Sequence, residues 1–95
     1  MKYEKIDADL TTWASTRGYP LQTSYRSEPV RSIEIRSADH QKKSQIGITD
    51  LTDTEVEITV FDGKNRREKM RGRHHELSHL LDTAENLAKA WLDLT

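Results

Sequence analysis

Three residues in the last quarter of the chain have the types and spacing of a metal site. His75 and His79 stand four apart, so on a helix both imidazoles leave the same side and could share a divalent cation. Glu76 lies between them, where a carboxylate could polarise a metal-bound water, and Glu85, six residues after His79, is a candidate third ligand. A second chemistry lies just before. Residues 63–75 hold Lys64, Arg66, Arg67, Lys69, Arg71 and Arg73 against Glu68 alone, a run that could bind phosphates or an acidic partner surface.

These residues sit on, or lead into, a helix predicted over His74 to Thr95. Leu77, Leu80, Leu81, Ala84, Leu87, Ala88 and Trp91 recur at steps of three and four and share one face. Leu92 and Leu94 widen that stripe in the last turn. They either close the core or offer a partner-binding surface for a second copy or another protein.

The spelling His75-Glu76-Leu77-Ser78-His79 resembles the H-E-x-x-H motif of zincin-type metallopeptidases, over eleven of the 95 residues if Glu85 is included. That resemblance implies a zinc bound by His75 and His79, with Glu76 as the base. The helical wheel opposes it. With Leu77 at 0°, the apolar face centres at about 340°, while His75 and His79 lie at about 160° and 200° and Glu85 at about 80°. The two histidines therefore point away from the core, and Glu85 stands too far round the helix to join them. Asp82 occupies the place where those families turn the chain with Gly, and His74 and Arg73 stand where they have apolar residues.

Upstream, Asp7 to Arg17 is predicted as a helix with Ile6, Leu10, Trp13 and Ala14 on one face, extendable back to Tyr3. Gly18 caps it and Tyr19-Pro20 forbids continuation. From Leu21 the apolar period becomes two. Residues 21–25 are extended without a settled pairing, and Ser27-Glu28-Pro29 interrupts. Val30–Ser37, Gln45–Leu51 and Glu55–Phe61 read as strands, the last with Val56, Ile58 and Val60 inward. Asp62-Gly63 signals a hairpin. If the basic run returns across a three-residue loop, Glu57 meets Lys69, Glu55 meets Arg71 and Met70 faces Val56.

The order helix, strands, basic segment, helix is similar to that of the double-stranded-RNA-binding domain, where a loop between the first strands carries a His, as His40 does here. The resemblance implies phosphate contacts from the basic run. The last helix opens Arg73-His74-His75-Glu76-Leu77 instead of that family's Lys-Lys-x-Ala-Lys, and Ala38-Asp39 replaces its Gly-Pro, so no membership follows.

The chain is lean, with 34% hydrophobic residues and a net charge of -1. It has no Cys, which excludes disulfides, thiolate metal sites and thiol nucleophiles. No apolar run approaches the ~18 residues of a membrane span, and the first five residues lack the apolar region of a signal peptide, so no membrane partner and a cytoplasmic location are expected. The expected fold is α+β: one domain over 1–95, a two-layer sandwich with an N-terminal helix, a three- or four-stranded antiparallel meander and a C-terminal helix, both helices on one sheet face. No catalytic set, cofactor or metal is assigned. The leading expectation is an interaction or regulatory module that binds another protein or a second copy of itself. The alternative is nucleic-acid binding through Arg66, Arg67, Lys69, Arg71 and Arg73, which net charge disfavours. A zinc metallopeptidase is the third reading.

Overall fold

The computed structural model describes residues 3–37 and 42–93. Helix α1 spans Asp7–Arg17, strands β1 to β5 span Leu21–Tyr25, Glu28–Arg36, Lys43–Asp50, Glu55–Phe61 and Arg67–Arg73, a 3₁₀ turn spans His74–Glu76, and helix α2 spans Leu77–Asp93. The strands form one antiparallel sheet in the order β1-β2-β3-β4-β5. Both helices cover one face of it, so the α+β sandwich stands and the strand count rises to five.

Helix α1 starts at Asp7, with Asp7 and Asp9 in its first turn, where acids meet the positive end of the helix dipole. It does not reach back to Tyr3, whose φ of 76° belongs to a turn closed by the Ile6 and Asp7 amides on the Tyr3 carbonyl. Gly18 ends the helix in the left-handed region (φ 75°), its amide on Ser15 O and that of Tyr19 on Ala14 O.

The first extra strand is β1. Arg26 and Ser27 both take positive φ, 51° and 70°, which makes a two-residue turn of the kind that joins twisted antiparallel strands. Neither residue advertises that conformation as Asn or Gly would, which hid the hairpin from sequence reading. Pro29, which cannot donate to a ladder, sits in β2 opposite Ser24, next to a register shift between Gln22 and Ser24.

The second is β5. Phe61 pairs with Arg67, and the register runs through Glu57↔Arg71 to Glu55↔Arg73, with Met70 opposite Ile58 and Gly72 opposite Val56. That is two residues away from the three-residue-loop expectation. The cause lies in the loop: Asp62 Oδ1 accepts the amides of Lys64 (2.9 Å) and Arg66 (3.1 Å), and the Asp62 amide donates to Arg66 O. Residues 62–66 thus close as a five-residue loop. A two-residue shift keeps every side chain on its expected face.

The core lies between the sheet and the helices. Ile33, Ile35, Ile46, Ile48, Val56, Ile58 and Val60 from the strands meet Leu10, Trp13 and Ala14 of α1 and Leu77, Leu81, Ala84, Ala88 and Leu92 of α2, all buried. Gly72 lets α2 come close to β5: a Cβ there would stand 2.8 Å from Leu80 Cδ1 and 3.2 Å from Glu76 Oε1. The other sheet face carries no helix. Among the described residues no helix is long and apolar enough to cross a membrane.

Candidate functional site

The basic run becomes the edge of the sheet. Two hydrogen bonds bracket the β4–β5 ladder: Asp62 N–H to Arg66 O, and His74 N–H to Thr54 O at 2.9 Å. Antiparallel pairs alternate between exchanging main-chain bonds and turning away. Counting from either bracket, Glu68, Met70 and Gly72 bond to β4, whereas Arg67, Lys69, Arg71 and Arg73 aim their amides and carbonyls at the free edge. Arg73 loses part of that freedom, because its amide donates to Glu76 Oε1 at 2.9 Å. The side chains of Arg67, Lys69, Arg71 and Arg73 are exposed and lie on the helix-free face, about 7 Å from one to the next.

Their partners are few. Arg71 Nε bonds Glu57 Oε2 at 2.9 Å while its side chain stays 67% exposed, and Arg67 lies over the Phe61 ring at 4.7 Å. Among the described residues, Lys64, Arg66, Lys69 and Arg73 make no ion pair. Three acids of α1 and α2, Asp7, Asp82 and Glu85, are engaged elsewhere. Asp82 Oδ1 accepts from Trp13 Nε1 (2.9 Å) and Arg17 Nη2 (2.7 Å). Glu85 accepts from Tyr19 Oη and Arg17 Nε and lies near Lys89. Burial and the Glu85 carboxylate push the Tyr19 hydroxyl up to about 12. Asp7 takes two bonds from Arg31, at 2.7 and 3.0 Å, and the Arg31 guanidinium holds its carboxyl below the usual aspartate range. Glu34 is held low in the same way, by Arg36 first and Lys43 second.

The histidine motif comes apart at the start of α2. His75 and Glu76 belong to the 3₁₀ turn and His79 to the α-helix, and both His75 and His79 are exposed. The Glu76 carboxylate is spent on capping the Arg73 amide, and Glu85 on Tyr19 and Arg17. Among the described residues no three His, Asp or Glu side chains converge as a metal site requires. The histidine with well-placed partners is His74. Its Nε2 lies 2.9 Å from Asp50 Oδ1 and 3.2 Å from Glu55 O; since a carboxylate and a carbonyl only accept, Nε2 carries the proton. That contact ties the end of β3 to the start of the 3₁₀ turn.

Leu92 is 8% exposed and belongs to the core, so its side chain offers little surface to a partner; Leu94 lies outside the described residues, as does His40. Sequence reading missed the Arg31–Asp7 pair and the Trp13–Arg17–Asp82 clasp. Both join residues far apart in the chain, and no local pattern signals them. No known protein family, curated protein or solved structure matches this chain.

Proposed function

We propose that this protein is a non-catalytic cytoplasmic interaction module that docks an acidic surface of another protein against β5 and its preceding loop. The observation that carries the reading is the separation of charge. The helix acids Asp7, Asp82 and Glu85 are consumed by internal partners, and Lys64, Arg66, Lys69 and Arg73 face solvent without an ion pair among the described residues. A net charge near zero thus conceals a predominantly positive edge strand, which speeds encounter with an oppositely charged partner.

Nucleic acid is the second reading, and the row of cations favours it. Glu55 and Glu57 lie beside that row on the same face, however, opposite Arg73 and Arg71, and would repel phosphates. The aromatic nearest the row, Phe61, is already covered by Arg67, which removes a stacking platform. A second copy is a poor occupant of this edge, because two β5 strands would set cation against cation.

The test is a pull-down from the protein's own cell extract, with and without nuclease, against a variant carrying Arg66→Gln, Arg67→Gln, Lys69→Gln and Arg73→Gln. A protein partner held by the parent, insensitive to nuclease and lost in the variant, is the expected result. Loss of capture on nuclease treatment moves the assignment to nucleic acid. Equal capture by parent and variant ends the reading.

A further inference from the structure

The free edge of β5 has a regularity that the proposed docking of an acidic protein does not require. Its outward main-chain groups and its cationic side chains belong to the same residues. Arg67, Lys69 and Arg71 each present an unpaired amide and carbonyl at the edge and a positive side chain on the helix-free face, while Glu68 and Met70 turn both toward β4 and α2. A strand added beside β5 would place its own alternate residues directly opposite these three, with Cβ atoms about 5 Å apart.

We infer that β5 accepts an extended acidic segment of a partner protein as a sixth strand, the segment carrying Asp or Glu at every second position. This rests on the acidic-partner reading above and adds the mode of binding. Three features select that occupant. The ladder positions are regular over Arg67–Arg73, without a bulge or proline, so a straight strand can pair along them. Arg67, Lys69 and Arg71 make cross-strand charge pairs with alternate acids and repel alternate bases. One end of the window is closed, because Arg73 gives its amide to Glu76, and at the other end the β4–β5 ladder stops at Phe61–Arg67. An apolar segment would gain main-chain bonds but leave the cations unpaired, and a helical acidic segment would pair with the cations but leave the edge unbonded.

The experiment uses the whole chain and three probes at low salt: a short peptide alternating Glu with Val and Thr, a peptide of equal length and charge with that alternation scrambled and interrupted by Pro, and a DNA duplex. Amide hydrogen exchange is read residue by residue. At millimolar peptide the alternating sequence should slow exchange of the Arg67, Lys69 and Arg71 amides about tenfold or more. The scramble should bind at least tenfold more weakly. Lys69→Pro removes one outward donor and leaves the inward ladder intact; it should weaken the alternating peptide about tenfold, while Lys69→Gln weakens it less. Equal binding of peptide and scramble, with unchanged edge amides and no effect of Lys69→Pro, overturns strand addition and leaves acidic docking standing. No binding of either peptide, with none of the glutamine substitutions altering partner capture, overturns both. Duplex binding that depends on Arg67 and Lys69, without peptide binding, overturns both in favour of nucleic acid.

Discussion

The two edges of the sheet are guarded in different ways. β1 is five residues long, shifts register between Gln22 and Ser24, and has the Thr23 carbonyl held at 3.2 Å by Arg31 Nη1 from the neighbouring strand. β5 is seven residues long, keeps register throughout, and relies on like charge. A distorted edge resists any incoming strand, whatever its sequence. A charged but straight edge resists only strands of its own sign. The difference separates an edge that is shut from one that discriminates.

The sharpest way to break this contrast is to place proline on either side of the β5 alternation. Met70→Pro takes away an inward donor and strands the buried carbonyl of Ile58; a loss of about 3 kcal/mol is expected by urea denaturation. Lys69→Pro, one residue away, should cost no more than about 1 kcal/mol. Similar losses would mean the ladder phase is wrong.

The helices link the two sides of the sheet, since α1 is latched through Asp7–Arg31 to β2, the neighbour of β1, and α2 lies on Gly72 of β5. Asp82→Ala leaves the Trp13 indole N–H, in a side chain 4% exposed, without an acceptor. It should cost about 1–2 kcal/mol and speed exchange at β1 and β5 together. Faster exchange at one edge alone would show that the clasp does not couple them.

Alkali tests the same junction. The Tyr19 hydroxyl is held up at about 12 in the fold and ionises near 10 once unfolded. Its stabilising contribution is therefore whole below pH 10 and is lost as pH rises toward 12. Tyr19→Phe should flatten the fall of melting temperature over that interval.

Acid tests the Asp7–Arg31 latch beside β1. The Asp7 carboxyl lies lower in the fold than the ordinary 3.8, so its contribution is present above that value and disappears as pH falls below it. Hydrogen exchange in β1 should then quicken as pH falls, and Asp7→Asn should remove that pH dependence. The smallest effect belongs to Arg71→Gln. It breaks an ion pair whose arginine is 67% exposed and should change stability by less than about 0.5 kcal/mol.

Much of the fold was legible because burial has a period. Val56, Ile58 and Val60 alternate cleanly, and Glu55–Phe61 was read to the residue. The stripe from Leu77 to Ala88 announced α2 in the same way. β1 was not legible as a paired strand, since only Leu21 of its residues approaches burial and its turn uses Arg26 and Ser27 at positive φ. The cationic residues of the candidate edge were visible as a run, and their shared face followed from the two-residue period. Their freedom from ion pairs was not visible. It depends on Asp82 and Glu85 meeting Arg17, Trp13 and Tyr19 more than sixty residues away. The H-E-x-x-H spelling, already opposed by the helical wheel, loses its spacing argument as well: four-residue spacing counts only within one continuous α-helix, and here a 3₁₀ turn precedes it.

The Glu76 cap and the Asp62 loop lie at opposite ends of the same strand, and the cap works as a stop. Between them the edge offers three outward residues, Arg67, Lys69 and Arg71, with both main-chain groups unclaimed. A segment laid along β5 therefore has a stop at one end: it cannot slide two residues toward α2 without meeting the Arg73 amide already held by Glu76. Register, as much as charge, would then be set at that end.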